Sequence, residues 1–502
     1  MAKSKYEYVK SFEVEDEVMQ PNLIIVRIEG CNFERFSDIH DLEKPNDEKA
    51  LALMNSCAAA VLEEYPDIVF SYGFNDEYSF VFKRKTKFYQ RRARYFLRLH
   101  VNFNKMMSLI VSFFSSVYTT KWKEFFPLKE MKCPLSFLAR VVCCASLEVL
   151  QAYLAWRQSE CHIRNLYNTC LWMLLKSGKS AKEALEVLEG TQKQEKNELL
   201  FQQFGINYRM LPEIFRQGSC IFMTQAEDVV KHDEHGIPIK RMRRKPRMIH
   251  NEHIAGRNFW NGQQYLLMEL GPFDNEIKKI KAEYVRSFLF ENKLMPSTWI
   301  VIRIDGCHFH SALFGFELTL WVTYSSFVLS KDSKFYQRQA SQIVSVIVSF
   351  FSSAYVMKWK DFFPFKELKY PPSFDGRAVC YPSTEILQDY LAWRQVDCHI
   401  NNQYNTCFWM LVKSGKSKSE AQSYLKGTQT REKNELLIRQ FNIDYNTLPI
   451  MFLRGSSIFR IKGEDSVMPE NGTFEEVKQE IILSHSNIIE DSFWKEHPSI
   501  LC

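Results

Sequence analysis

Apolar and polar positions along the chain predict an alternation of strands and helices. Residues 22–28, NLIIVRI, form a short β-branched and apolar run that stops at Glu29 and Gly30, which is typical of a buried strand ending in a loop. Apolar residues recur at helical spacing over 45–64. Later helices are predicted at 146–157, 162–176 and 180–189. This order predicts an α/β or α+β fold, a small antiparallel sheet with helices packed on one face.

A β-hairpin is predicted after the first long helix. The strand-like runs 67–72 and 76–82 flank a turn at 73–75 that contains Gly and Asn. Because successive side chains of a strand face opposite ways, Asp76 and Glu77 are predicted on opposite faces. Only one member of this acidic pair can face a given site.

The pattern occurs twice. EYVKSF at residue 7 returns as EYVRSF at 283, and IIVRIEGCNF at 24 returns as IVIRIDGCHF at 300, an offset of 276. The offset falls to 247 at KFYQR and to 237 from IVSFFSS onward, so copy two lacks 29 residues and copy one has 10 extra. Two domains are predicted, copy one at 1–270 and copy two at 271–502.

Composition limits the class of protein. The chain is 46% apolar and 25% charged, which is typical of globular domains. The first residues lack the apolar region of a secretory signal, and the apolar runs near 108–118 and 318–329 are too short to span a bilayer, so no membrane association is expected. The 13 cysteines without CxxC pairs indicate reduced thiols.

Positive charge is concentrated in one stretch. The net charge is +6, and residues 239–247, IKRMRRKPR, hold much of the local excess. This stretch is interpreted as a contact for phosphates or for a nuclear import receptor, or equally as a solvated linker. Nucleus or cytoplasm is the expected compartment.

Two acidic residues are candidates for metal chemistry. Mg²⁺ takes oxygen ligands from one or two carboxylates and leaves other positions to water and substrate phosphates. Glu29 and Asp76 lie at the ends of two strands, and the Gly30 carbonyl beside them could approach a metal closely. Two such ions could serve nucleotidyl transfer. The alternative is that both carboxylates are ordinary loop caps.

Five motifs in order give a family resemblance. VRIEGCNFERF, KPND, YGFNDEYSFVFKRK, HIRNLYNT and KNE resemble tRNA-histidine guanylyltransferase in order and spacing across most of both copies. The resemblance implies a palm-like, ferredoxin-like sheet that presents two Mg²⁺ ions. It also implies that ATP activates the 5′ end of tRNA-histidine, that the 3′-hydroxyl of GTP then attacks, and that several modules assemble, as a homo-oligomer.

The resemblance assigns roles to residues of copy one. The implied catalytic residues are Glu29, Asp76 and Glu77, and the implied metal ligands are Glu29, Gly30 and Asp76. The implied GTP-binding residues are Glu29, Gly30, Cys31, Asn32, Phe33, Glu34, Asn75 and Asp76. Lys44, Asn46 and Asp47 are implied to bind the triphosphate, with a solvated helix entrance as the alternative. The implied tRNA-binding residues are Arg92, His162, Asn165, Asn168, Lys196 and Asn197, and Lys83, Arg84, Lys85 and Arg91 supply further cations.

The helical spacing of His162, Asn165, Asn168 and Thr169 places these four residues on one helix face. On spacing alone, an ordinary contact between helices explains this face better than tRNA binding does.

Both copies depart from the family pattern. Copy one has Glu29 where the family has aspartate, and FLAR at 137–140 where copy two keeps FDGR at 374–377. Copy two keeps Asp305 and Gly306, but its missing segment is expected to remove both KPND and the hairpin with the second carboxylate. The residues at 312–333 do not resemble the family. Sequence divergence or an error in the gene model would each account for this.

Two alternatives to an active transferase stay open at this point. One interprets the chain as a tRNA-binding or scaffolding relic, and the other as a different palm-like transferase such as a nucleotide cyclase. The HIRNLYNT and KNE motifs argue against a cyclase, which has no tRNA to bind. Our prediction is that copy one carries the catalysis and that copy two supports tRNA binding or assembly.

Overall fold

The structure is a computed structural model. It describes residues 5–12, 17–18, 23–84, 86, 101–232, 238–250, 253–254, 256–271, 293–307, 324–462 and 479–501.

Copy one forms a sheet with helices on both faces. Its strands are β1 Glu17–Val18, β2 Leu23–Cys31, β3 Ile68–Phe74, β4 Glu77–Phe82, β5 Val101–Asn102, β6 Ser136–Cys144, β7 Ser219–His232 and β8 Pro238–Ile249. Its helices are α1 Phe33–Ile39, α2 Glu48–Glu64, α3 Phe103–Phe125, α4 Leu147–Lys176, α5 Ala181–Leu188, α6 Lys193–Phe204, α7 Glu213–Gln217, α8 Arg257–Asn261 and α9 Gln264–Leu270. Short 3₁₀ helices lie at Glu7–Phe12 and Tyr208–Met210.

The main sheet has six antiparallel strands in the order β6-β2-β4-β3-β7-β8. Alternate residues of β2 face opposite sides, as the strand period requires. Val26 and Ile28 pack with α2 and α3, whereas Leu23 and Ile25 pack with α4. The ends of β2 and β4 therefore project from a sheet that is covered on both faces.

Copy two repeats part of this architecture. Its strands are β9 Trp299–Cys307, β10 Tyr324–Leu329, β11 Ser373–Tyr381, β12 Ser457–Lys462 and β13 Gln479–Ser484. Its helices are α10 Ala340–Phe362, α11 Thr384–Lys413, α12 Lys418–Leu425, α13 Thr430–Phe441, α14 Ile450–Arg454 and α15 Asp491–Glu496. Short 3₁₀ helices lie at Phe335–Arg338, Tyr445–Thr447 and Pro498–Leu501. The main sheet has the order β10-β9-β11.

The missing segment of copy two removes elements from the middle of the module. Residues 308–323, which lie outside the described residues, are the only connection between β9 and β10. These residues are too few to hold the counterparts of both α2, with 17 residues, and β3, with 7. In copy one, the hairpin β7–β8 joins the main sheet because β7 pairs with β3. The corresponding hairpin of copy two, β12–β13, forms a separate two-stranded sheet.

Copy two was expected to lack the second strand of the hairpin, and β10 shows that this expectation is wrong. This strand pairs with β9 in the register that β4 has with β2, so Tyr324 lies opposite Asp305 as Glu77 lies opposite Glu29. Residues 324–329 therefore replace the second hairpin strand at an offset of 247. The position that corresponds to Asp76 is 323, outside the described residues.

The two copies share one interface and one core. Helix α3 of copy one packs against β11 and α10, and α10 packs against β6. Ser108 and Ser112 accept hydrogen bonds from the amides of Gly376 and Phe374, at 2.8 and 2.9 Å. Each copy's long helix thus satisfies the edge strand of the other copy, because the same contacts recur in reverse. The reverse bonds run from the amides of Ala139 and Phe137 to Ser345 and Ser349, both at 2.9 Å.

The class of fold predicted from the pattern is confirmed, as mixed helices and antiparallel sheets. Four details differ. Helices cover both faces of the copy-one sheet and not one face, because both faces of β2 are apolar. The helices predicted at 146–157 and 162–176 are one helix, α4, because the polar stretch between them is only a half-exposed face of it. The hairpin turn is Asn75–Asp76, with φ of 51° at Asn75, so Asp76 precedes the strand. The basic stretch 239–247 is part of β8 and not a linker.

The apolar stretch 108–118 and most of the described cysteines lie inside the protein. One helix among the described residues, α10, is long and apolar enough to cross a membrane, but half of that stretch is buried against α3, β6 and β11. It is therefore the core helix of the interface. The twelve cysteines of the described residues are all free thiols.

Candidate active site

The ends of β2 and β4 meet at the predicted site. The amide of Gly30 donates a hydrogen bond to the carbonyl of Asp76, at 3.0 Å. A Cβ atom at Gly30 would lie 3.1 Å from Asp76 Oδ2 and 3.0 Å from the Phe33 ring. Glycine therefore permits the approach of this carboxylate to the backbone at 30.

Asp76 lies in an electrostatic environment that suits a cation. Burial and the neighbouring charge of Glu29 raise the pKa of Asp76 from 3.8 to about 7. Asp76 makes no ion pair in the described part of the chain, although Arg164 acts on it from a distance. A divalent ion would relieve this like-charge repulsion, so Gly30 and Asp76 fit the Mg²⁺ expected from the family resemblance.

Glu29 is turned toward Arg27. Both residues lie on the same face of β2, and Arg27 Nη2 is 2.8 Å from Glu29 Oε2. The same guanidinium is 2.6 Å from Glu77 Oε2. Glu29 is close enough to act on the Asp76 charge, but its carboxylate is held by an arginine. The structure brings the two strand ends together, and of Glu29, Asp76 and Glu77 only Asp76 has no ion-pair partner among the described residues.

Glu77, which the family resemblance implies to be catalytic, lies in a buried ion pair, and its catalytic role stays a prediction. Glu77 is 1% exposed and receives two hydrogen bonds from Arg157 of α4, at 2.6 and 2.5 Å. Arg157 is equally buried and lies over the rings of Phe74 and Trp156. Because it faces α4 and is fully paired, Glu77 is a structural ion-pair residue that joins the sheet to the helix.

The segments assigned to GTP lie next to each other. Cys31 ends β2, its Sγ atom is 3.1 Å from the hydroxyl of Tyr336 in copy two, and Asn32 has φ of 52° before α1. Phe33 is half-buried, Glu34 is exposed, and Asn75 forms the turn beside them. The structure therefore places 29–34 beside 75–76, and it adds a residue of copy two that the sequence did not indicate.

The residues assigned to the triphosphate lie at the entrance to α2. Asp47 is the N-cap of this helix and accepts a hydrogen bond from the amide of Ala50. Its carboxylate therefore has the role of a helix entrance, which was the alternative to triphosphate binding. Lys44 forms an ion pair with Asp38 at 2.9 Å. Asn46 is half-buried between them.

The polar face assigned to tRNA is largely internal. Asn165 is 1% exposed and donates to the hydroxyl of Tyr208, and Thr169 is buried and donates to the carbonyl of Asn165. Direct tRNA contact by Asn165 is therefore corrected to a contact between helices. Burial, together with Lys193 and Arg216, lowers the pKa of His162, which favours a neutral imidazole.

The other described members of this set are half-buried. Lys196 donates to the carbonyl of Thr191 at 2.6 Å, and Asn197 donates to the carbonyl of Lys193 at 2.9 Å. Asn168 is half-buried. Arg92, with Lys85 and Arg91, lies outside the described residues.

Copy two has a related arrangement of different residues. Asp305 lies opposite Asp375 on β11 and opposite Tyr324 on β10, and Gly306 follows it at the end of β9. Arg394, the counterpart of Arg157, lies 4.7 Å from the centre of the Tyr324 ring and pairs with Asp397 at 3.0 Å. Copy two therefore retains the arginine, but the ring of Tyr324 takes the place of the Glu77 carboxylate.

Some functional residues were missed at the level of sequence. Arg27 precedes Glu29 by two positions, so strand alternation was a signal that the two share a face. Tyr336 had no such signal, because its contact with Cys31 spans 305 positions. Within the described residues, no group of three or more His, Cys, Asp or Glu side chains could hold a metal, so a metal here depends on few protein ligands.

Comparisons with known proteins identify the family. The model described as tRNAHis guanylyltransferase matches residues 6–145 and 323–382, and the model described as Thg1 C terminal domain matches 148–257 and 385–493. Two relatives from Arabidopsis thaliana, tRNA(His) guanylyltransferase 1 and 2, are 59% and 58% identical over the whole chain, which spans 91% and 99% of their lengths. The tRNA(His) guanylyltransferase of Saccharomyces cerevisiae, a solved structure, is 40% identical, with a TM-score of 0.40 over 43% of this chain and 93% of that one.

The chain belongs to the tRNA(His) guanylyltransferase family of nucleotidyltransferases. Each family model matches twice in the same order, which confirms the tandem form. The match that begins at 323 also includes β10, so the residues from 323 onward that were expected not to resemble the family do resemble it.

Proposed function

We propose that this chain transfers a guanylyl group from GTP to the 5′ end of tRNA(His), and that copy one, residues 1–270, performs the chemistry. The meeting of the Gly30 backbone with the Asp76 carboxylate carries the proposal. The names of the two full-length relatives support the substrate. Copy two, residues 271–502, supports copy one through the shared interface.

The reaction proposed for copy one proceeds in two transfers. ATP adenylylates the 5′-monophosphate of the tRNA and releases pyrophosphate, and the 3′-hydroxyl of GTP then attacks that phosphorus and displaces AMP. Hydrolysis finally removes pyrophosphate from the 5′-triphosphate of the added nucleotide. Mg²⁺, when bound, would neutralise the charge that develops on the phosphate oxygens. Asp76 and the Gly30 carbonyl would hold it, with Glu29 as a ligand only if its carboxylate leaves Arg27.

Other residues of copy one would position the substrates. The backbone at 30–33 and 75–76 is adjacent to the proposed metal and is placed to bind GTP, and Lys44 offers a point charge to the triphosphate if it leaves Asp38. The exposed cations of β8 give a surface for the tRNA backbone, namely Arg241, Arg243, Arg244, Lys245 and Arg247. Tight binding to this surface should weaken with added salt.

Transfer of radiolabelled GTP to tRNA(His) by the full-length protein, with and without Mg²⁺, tests the proposal. Wild-type protein is expected to label the tRNA only with Mg²⁺, and Asp76→Ala is expected to abolish labelling without lowering the melting temperature. Asp305→Ala is the matched control in copy two and should retain labelling. Undiminished labelling by Asp76→Ala would rule the assignment out.

A second candidate function is tRNA binding without catalysis. The observation that favours it is the capture of Glu29 by Arg27, which leaves the proposed metal site with one free carboxylate. Equilibrium binding of GTP discriminates the two functions, since Mg²⁺-dependent binding belongs only to the transferase. A protein that binds tRNA(His) but not GTP with Mg²⁺ would support the second candidate.

A further inference from the structure

The interface between the two copies is nearly symmetric. Helices α3 and α10 occupy equivalent places, and the serines of each satisfy the edge strand of the other copy. The two pairs of serines are related by the same offset of 237. Because an edge strand otherwise presents unpaired amides to any neighbouring chain, these contacts cover one edge strand of each main sheet, β6 and β11. Being alike in both copies, they cannot distinguish one copy from the other.

One contact breaks the symmetry. Lys105 at the start of α3 forms an ion pair with Asp375 of β11, with 2.7 Å between Nζ and Oδ2. The Asp375 side chain is 5% exposed and that of Lys105 is 25% exposed. The equivalent positions at an offset of 237 are Gln342 and Leu138, neither of which is charged. The amide of Gln342 instead donates to Gln339 in its own helix.

This asymmetry discriminates between possible pairs of modules. A pair made of two copy-one modules would bring Lys105 opposite Leu138. A pair made of two copy-two modules would bring the buried Asp375 opposite Gln342. A buried carboxylate without its cation is strongly destabilising, whereas the pair of unlike copies neutralises it. Specificity of this kind depends on an unfavourable contact in the wrong complex as well as a favourable one in the right complex.

We propose that Lys105 and Asp375 decide which modules pair through this surface. The α3 surface of copy one takes a module with an aspartate at the end of its third strand, namely copy two of this chain, and rejects a second copy one. Copy two is thereby the fixed partner of copy one. Any assembly of whole chains must use surfaces other than this one, because β6 and β11 are occupied within the chain.

A double-mutant cycle in the full-length protein tests the proposal. Lys105→Gln leaves Asp375 buried and unpaired, so it should lower the melting temperature and accelerate hydrogen exchange at the Phe374 and Gly376 amides. Adding Asp375→Leu creates the uncharged combination found on the other side and should restore most of both. Lys123→Gln is the control on the same helix, since Lys123 pairs with Glu130 on the surface, and should change neither.

A transplant of the pair gives the independent measurement. Leu138→Asp alone should lower the melting temperature, and Leu138→Asp with Gln342→Lys should regain it because the second side would then carry the same pair. Additive effects in the first cycle, or no recovery in the transplant, would overturn the proposal. Light scattering should show chain-to-chain association for Lys105→Gln, whose interface opens, and not for the compensated double variant.

Discussion

Glu29 and Arg27 show how one methylene group changes a site. The two side chains lie on the same face of β2, and the length of glutamate lets its carboxylate reach Arg27 at 2.8 Å. Aspartate, the family residue at this position, is shorter and starts from the same Cα. Its carboxylate would stay nearer the backbone at Gly30, where Asp76 lies 3.1 Å from the Cβ position.

Glu29→Asp is therefore expected to improve metal binding in copy one. The shorter side chain no longer reaches Arg27, which still pairs with Glu77. We expect its carboxylate to lie beside Asp76 instead. We expect half-maximal guanylyl transfer at an Mg²⁺ concentration lower by on the order of 10-fold, the lower end of what metal-site geometry is worth. A titration of Mg²⁺ against transfer rate measures this, with Asp305→Glu as the control. An unchanged or higher Mg²⁺ requirement would contradict the expected role of Arg27.

The raised pKa of Asp76 predicts that the stability of the protein and its stabilisation by Mg²⁺ depend on pH. Its pKa is raised from 3.8 to about 7, so the folded protein keeps a proton that the unfolded chain releases. The stability from this group is fully present below pH 3.8 and is lost as pH rises through about 7. Bound Mg²⁺ requires the ionised form, so it should stabilise the protein more at pH 8 than at pH 6. Thermal unfolding with Mg²⁺ or EDTA at both pH values checks this, and Asp76→Asn should abolish the difference.

At the scale of elements, periodicity predicted most of the secondary structure of copy one. The strand at 22–28 and the helix at 45–64 are β2 and α2, because each has a long and regular apolar pattern. Helix α4 was divided at 158–161 because a polar stretch interrupts its pattern, although packing on two clusters keeps the helix continuous. Strand β10 was missed because its six residues, four half-exposed and two exposed, give no clean alternation, and pairing with β9 defines the strand.

The site was less predictable than the fold. Alternation placed Asp76 and Glu77 on opposite faces, and the structure agrees. Sequence does not show which face carries the buried Arg157, since that residue comes from a helix 80 positions away. Asn165 was similarly undecided, because the same helical face can meet solvent or, as here, Tyr208.

Because of the deletion in copy two, the same isoleucine-to-alanine substitution should destabilise the protein by different amounts in the two copies. Ile221 on β7 is 1% exposed, whereas its counterpart Ile458 on β12 is 70% exposed, because β13 is the only partner of β12 among the described strands. Ile221→Ala should lower the free energy of unfolding by about 2–4 kcal/mol, through lost burial and a cavity. Ile458→Ala should change it by less than about 0.5 kcal/mol. Urea unfolding of the two variants measures the contrast, and similar losses would mean that Ile458 is covered.

At the scale of the whole molecule, the two copies are linked at the site as well as at the interface. Copy two presents Tyr336 on a turn in which three successive residues, Tyr336, Gln337 and Arg338, have positive φ. Non-glycine residues adopt such φ values only when the surroundings enforce them. Here the buried guanidinium of Arg338 does so, by donating to the carbonyls of Lys331 and Thr298 at 3.0 and 2.9 Å. The turn therefore holds the Tyr336 hydroxyl at a fixed place beside Cys31.

Tyr336→Phe should separate substrate binding from chemistry. It removes the hydroxyl contact to Cys31, which lies in the segment proposed to bind GTP, and leaves the ring in place. A single hydrogen bond is worth about 0.5–1.5 kcal/mol, so the KM for GTP should rise by about 2- to 10-fold. The kcat should change less, because no reacting atom is touched. Tyr424→Phe, an exposed tyrosine of copy two, is the matched control. If Tyr336→Phe leaves the KM unchanged at an unchanged melting temperature, copy two acts on copy one through the interface alone.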